Sequence, residues 1–125
     1  MEVVAMSAQK VEENALAFVN EVRVAGRVSG VPEERELPSG DVVLLVRVVV
    51  DRPSVAGERR RVDTVDCAVW AKGLRRRVSG WRPDDMVEVE GALRRRFYRS
   101  AGGGTLSRVE VEVTAARITR RATTG

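Results

Sequence analysis

Residues Met86–Tyr98 read M-V-E-V-E-G-A-L-R-R-R-F-Y. Apolar residues recur at every second position, the period of a β-strand, so Val87, Val89, Gly91 and Leu93 share one face. The other face receives Glu88, Glu90, Ala92, Arg94, Arg96 and Tyr98. A strand of this kind buries one side in a core and shows guanidinium groups and an aromatic ring on the other. Such a surface suits a flexible polyanion with stackable rings, and single-stranded nucleic acid has both properties. Arg95 and Phe97 have the opposite parity and fall outside this candidate site, either as loop or against a neighbouring subunit.

The rest of the chain is strand-like in the same way. From Asn20, Val22, Val24, Gly26 and Val28 alternate onto one face, and a polar loop is expected over Gly30–Asp41, with Pro32, Pro38 and the turn pair Ser39–Gly40. Val42–Val50 is apolar on both faces, which marks a central or covered strand. A loop from Asp51 to Arg61 ends in Arg59, Arg60 and Arg61. In Val62–Trp70, Val65, Cys67 and Val69 point inward, and Thr64, Asp66, Ala68 and Trp70 outward. A short helix is predicted over Gly73–Trp81, with Leu74 and Val78 inward, Arg75, Arg76 and Arg77 outside, and Trp81 in the core or capping it. Pro83 and Asp84–Asp85 turn the chain into the strand quoted first. The glycine-rich stretch Ser100–Thr105 is read as a hairpin tip that folds over a bound strand, and Ser107–Ile118 as a last strand with Val109, Val111 and Val113 inward.

Before the first strand, Val11, Ala15, Phe18 and Val19 sit at helical spacing within Ser7–Val19, which predicts a short amphipathic helix or arm. The chain is thus divided into an N-terminal extension (residues 1–19), one β-domain (20–118) and a flexible tail (119–125). Five strands with one short helix between the third and fourth is the order of an all-β Greek-key barrel of the OB type. A β-sandwich or an SH3-like barrel gives similar alternation.

Composition narrows the chemistry. With 125 residues, 43% of them hydrophobic, the chain closes a single core without metal or disulfide. Cys67 is the lone cysteine and histidine is absent, so neither a zinc site nor an internal bridge is expected. The missing histidines remove the commonest general base, and the acidic residues do not cluster as a metal site, so neither enzyme activity nor a cofactor is expected. The net charge of +4 favours a polyanionic partner. Position matters more than bulk charge, because 22 basic residues are offset by 18 acidic ones and the excess of arginine over lysine also follows from GC-rich coding. No run has the length of a membrane span, and Met1–Val4 lacks the features of a secretion signal. A cytoplasmic, nucleoid-associated protein is expected.

Five segments in order carry a resemblance: N-E-V-R-V-A-G-R-V (Asn20–Val28), P-E-E-R-E-L-P-S-G-D (Pro32–Asp41), D-C-A-V-W-A-K (Asp66–Lys72), V-E-V-E-G-A-L-R-R-R (Val87–Arg96) and R-V-E-V-E-V (Arg108–Val113). Together they resemble the bacterial single-stranded DNA-binding protein family over Asn20–Ile118. The resemblance implies an OB fold, usually a homotetramer with a dimer as the alternative. It also implies sequence-nonspecific binding of single-stranded DNA in replication, recombination or repair. Trp70 and Tyr98 match base-stacking positions of that family, and Arg94, Arg96 and Lys72 match basic positions along the backbone. Arg59, Arg60 and Arg61 offer guanidinium planes that also stack on bases.

The chain also departs from that pattern. Thr64 and Ser54 stand where family members often carry aromatic rings, and the chain ends without an acidic tail, so tail-mediated recruitment of repair enzymes is not expected. These departures leave two alternatives open: a protein-interaction module that has lost DNA binding, and a replication-restart accessory factor on the same fold.

Overall fold

Valine supplies most of the apolar positions in five alternating segments, and its β-branched side chain packs well on a pleated surface. In the computed structural model, which describes residues 17–123, these segments close into a barrel. The elements are β1 (Val22–Glu36), β2 (Val42–Asp51), β3 (Val62–Val69), α1 (Lys72–Val78), β4 (Met86–Arg99) and β5 (Thr105–Arg120). The strand order is β1-β2-β3-β5-β4, with β4 returning to β1. Only the β3–β5 contact is parallel. This is the all-β barrel of OB type expected from the sequence, with its helix between β3 and β4.

The core holds Val28, Leu44, Val46, Val48, Cys67, Val69, Val87, Val89, Val111, Val113 and Ala116, joined by Val78 and Trp81 next to α1. Trp81 is thus a core residue, as expected. Burial pushes the Cys67 thiol up to about 12, so it behaves as a small apolar side chain rather than a nucleophile.

Three expectations change. The predicted loop Gly30–Asp41 is mostly strand: β1 continues to Glu36, and Glu33–Glu36 pair with Leu45–Val42. A register shift between Ser29 and Glu33 absorbs Val31 and Pro32, which keeps the missing N–H of Pro32 out of the ladder. Only Leu37–Asp41 turns, closed by Leu37 N–H donating to Asp41 O at 2.8 Å. Second, Leu93 and Val109 are exposed (49% and 42%) although their parity is that of the core. They lie where β4 and β5 run on as a two-stranded arm beyond the closed part of the barrel. Third, Ala68 has outward parity yet is fully buried, because its methyl group sits below its taller sheet neighbours Leu45 and Glu112.

The β4–β5 ladder carries a bulge at the root of the arm. Glu90 pairs with Ala115 and Gly91 with Val113, leaving Thr114 as the extra residue, its hydroxyl donating to Glu90 O at 3.3 Å. This shift lets Val111 and Val113 before it, and Ala116 after it, all face the core. Gly91 allows the close approach: a Cβ there would overlap the carbonyl of Glu112. Gly91→Ala is expected to cost about 2 kcal/mol, because the obstacle is backbone and the whole strand must shift. A urea melt of the variant against wild type measures it, and unchanged stability would show that the ladder relaxes freely.

The segment following β5 is also tied down, through Arg121 and Ala122. Asp84 adopts a left-handed φ of 71° and Asp85 is fully buried. The Asp85 carboxylate accepts from Arg82 N–H (2.8 Å), Ala122 N–H (2.7 Å) and Arg121 Nη1 (3.1 Å). The segment after Ile118, expected as a free tail, is therefore strand to Arg120 and held through Ala122. The helix expected over Ser7–Val19 lies outside the described residues except at 17–19, which are not helical and leave Phe18 and Val19 exposed.

Candidate nucleic-acid interface

The arm positions the candidate site. Arg94, Arg96 and Tyr98 occupy alternate positions of β4, so their side chains share one face, with Glu110, Arg108 and Leu106 directly opposite on β5. This face meets the outer surface of β1 and β2. A cavity of about 180 Å³ is lined by Arg35, Leu37, Val43 and Leu45 on one wall and by Arg96, Tyr98, Arg108 and Glu110 on the other. A second cavity of about 320 Å³ adjoins it, sharing Arg35, Leu45, Arg108 and Glu110 and reaching Arg47 and Asp66. Together they form one groove with an apolar floor and a charged rim. Val42–Val50 is apolar on both faces for this reason: one side feeds the core and the other floors the groove.

Guanidinium groups already sit on both aromatic rings. The Arg96 guanidinium lies 4.9 Å from the centre of the Trp70 ring, and that of Arg108 lies 6.0 Å from the centre of Tyr98. Arg96 also pairs with the buried Glu110 at 3.2 Å, and Arg94 with Glu112 at 3.3 Å. Arg47 pairs with Asp66 at 3.1 Å at the far end. These carboxylates neutralise much of the positive charge that Arg94 and Arg96 present in the sequence.

Trp70, Arg96 and Tyr98 are thus brought together, with Arg94 one step along the same face. Lys72 is not: it opens α1 and lines a separate hollow with Pro32, Glu34, Leu44, Arg75, Arg76 and Ser79. Arg59 and Arg61 line another, with Arg52, Pro53, Ser54 and Glu58, and Arg60 is exposed in the same β2–β3 loop. Sequence reading missed Arg108, Arg35 and Glu110. Alternation along β5 puts Arg108, Glu110 and Glu112 on one face, but only the register shows which residues of β4 they meet. Among the described residues no group of acidic or cysteine side chains is arranged to hold a metal, and no helix is long and apolar enough to cross a membrane.

A closed five-stranded barrel with its one short helix between β3 and β4, and with paired aromatic and guanidinium groups in an open groove, is a barrel of the OB class. Residues 19–120 match the model of the single-strand binding protein family, and the chain belongs to that family. It is 28% identical over 95 residues to the single-stranded DNA-binding protein of Oceanobacillus iheyensis, covering 75% of this chain and 59% of that protein. The single-stranded DNA-binding protein of Halalkalibacterium halodurans is 30% identical over 96 residues, covering 75% of this chain and 56% of its own length. The chain therefore spans a little over half the length of the curated relatives it matches. Among solved structures, one described as a Plasmodium falciparum SSB complex with ssDNA superposes with a TM-score of 0.66 at 17% identity, covering 82% of this chain and 94% of that one, a likeness of fold.

Proposed function

We propose that this protein binds single-stranded DNA without sequence preference, in the groove between the β4–β5 arm and the outer face of β1 and β2. The observation that carries the reading is the juxtaposition of Trp70, Arg96, Tyr98 and Arg108, two rings each faced by a guanidinium, in a chain of the single-strand binding protein family. Every base has a π-face, so stacking on Trp70 and Tyr98 selects unpaired strands without reading their sequence. Arg108 at the groove's rim contacts phosphates, and Arg35, Arg94 and Arg96 follow the backbone once the strand competes with Glu33, Glu112 and Glu110 for them. Lys72 and the Arg59–Arg61 loop extend contact outside the groove, on a longer strand. In the cell the protein acts in DNA replication, recombination or repair, in the cytoplasm, as a homo-oligomer with four copies favoured over two.

The test is a salt-titrated binding assay with oligo-dT, oligo-U and duplex DNA. Oligo-dT is expected to bind more tightly than duplex, and log affinity to fall with log salt by roughly 0.7 per neutralised phosphate. Equal binding of duplex and single strand would overturn the reading. One observation favours a second reading, a protein-interaction module with weakened DNA binding: Glu110 and Glu112 hold two of the proposed backbone-contacting arginines. Undetectable oligo-dT binding at low salt would support it.

A further inference from the structure

The β4–β5 arm has a second face. On β4 it carries Leu93, Arg95, Phe97 and Arg99, which pair with Val111, Val109, Ser107 and Thr105 of β5. None of these eight residues is acidic, whereas on the groove face Glu110 and Glu112 hold Arg96 and Arg94. The groove face thus sets two carboxylates against Arg94, Arg96 and Arg108, whereas Arg95 and Arg99, on the side away from Trp70, face none. At its centre the Phe97 ring is 69% exposed, with Arg95 two residues before it and Arg99 two after. Arg95 Nη1 donates to Ser107 Oγ at 3.0 Å, which orients the guanidinium without neutralising it.

The edge between the two faces is open. β1 pairs with β4 only from Met86 to Gly91, and the Asn20 side chain then closes on Leu93, accepting from its N–H at 2.7 Å and donating to its carbonyl at 2.8 Å. From Arg94 to Arg99 this edge of β4 has no strand partner among the described residues. Tyr98 and Phe97 are consecutive, so a chain leaving the Tyr98 ring over this edge arrives at the Phe97 ring.

We propose that Phe97, flanked by Arg95 and Arg99, is a second base-stacking platform, and that a strand longer than the groove passes around the open edge of β4 onto it. The proposal rests on the single-stranded DNA reading given above. Charge selects the occupant. A second copy seated here about a two-fold axis would set Arg95 and Arg99 against their own counterparts, and like charges oppose that contact. A polyanion with stackable rings meets both the guanidinium groups and the exposed phenyl ring.

The experiment compares wild type, Phe97→Ala and the double variant Trp70→Ala, Tyr98→Ala on oligo-dT of about 8 and about 30 nucleotides, one within and one well beyond the ~4–16 that one such barrel takes. Phe97→Ala is expected to lose about tenfold in affinity for the longer strand and to match wild type on the shorter, whereas the double variant weakens on both. In Phe97→Trp, long-strand affinity is kept and the added fluorescence is quenched by the longer oligonucleotide alone. Wild-type affinity of Phe97→Ala for the longer strand, with the double variant weakened, overturns the second platform and leaves the groove standing. A change of mass in light scattering with unchanged affinity overturns it in favour of a contact between copies. If wild type binds neither oligonucleotide, the single-stranded DNA reading itself fails.

Discussion

Replacing Trp70 and Tyr98 together by alanine is expected to lower affinity for oligo-dT on the order of 100-fold while leaving the fold intact. Each base stacked on an aromatic ring contributes about 1–3 kcal/mol, and two such losses combine to roughly 3 kcal/mol or more. The rings stand clear of the main core, Trp70 half-buried beneath Arg96 and Tyr98 45% exposed, so their removal leaves the packing of the valine core alone. The guanidinium groups over both rings shape the single variants. A base entering at Trp70 either displaces Arg96 or stacks with it, so Trp70→Ala removes a ring and frees a cation at once. The combined change is therefore the cleaner measurement. Fluorescence anisotropy with a labelled oligonucleotide reads the affinity, and a thermal melt checks the fold. Unchanged affinity in the double variant would place the binding surface elsewhere.

The largest effect on stability is expected at Asp85. Its carboxylate is fully buried and accepts from two backbone N–H groups and from Arg121. The Asp85 backbone also joins β1, Val28 N–H donating to Asp85 O at 2.9 Å. Asp85→Ala strands the Arg82 and Ala122 N–H groups and the Arg121 guanidinium, a loss of about 3 kcal/mol. A chemical melt showing less than about 1 kcal/mol would mean that water replaces the carboxylate.

The same group gives the fold an acid dependence. Burial alone would raise the Asp85 pKa, but the N–H groups of Ala122 and Arg82 and the Arg121 charge outweigh it and hold the carboxyl below its ordinary value. A depressed folded-state pKa means the unfolded chain takes up a proton first as pH falls. The stabilisation is therefore complete above the ordinary carboxylate range, near pH 4, and is lost as pH drops toward the folded-state value. Asp85→Asn should show a shallower acid limb than wild type. The limb will not be flat, because hydrogen bonding to Arg23, and Arg117 beside it, hold Glu88 below its ordinary value too.

Much of the barrel was legible in the sequence because a half-buried strand writes its burial into period two. Val87 and Val89, Cys67 and Val69, and Val22, Val24 and Val28 all fell on the faces that alternation assigned. Alternation failed where a strand leaves the barrel, since Leu93 and Val109 keep core parity but have no core beneath them. It also failed at Gly30–Glu36, where proline and acidic residues suggested a loop but pairing with β2 prevailed. For the site, parity on β4 grouped Arg94, Arg96 and Tyr98 correctly. It could not show that Lys72 turns away into α1, nor that Arg59 and Arg61 line a different hollow.

By itself, then, the sequence determined where the strands run, most of their core-facing residues within the closed barrel and which side chains of β4 share a face. These depend on the local geometry of the backbone, which repeats every two residues wherever a strand forms. Only the tertiary structure decided which strands' faces meet. Arg96 reaches Trp70, outside the arm, while Arg96 with Glu110 and Arg108 with Tyr98 meet across the arm's own two strands. The register of β4 on β5, shifted by the bulge at Thr114, sets those partners, and a register is a property of two strands rather than of either one. The M-V-E-V-E-G-A-L-R-R-R-F-Y strand carries its two faces in its own residues. That one of them has carboxylates against its arginines and the other has none was settled by the strand beside it.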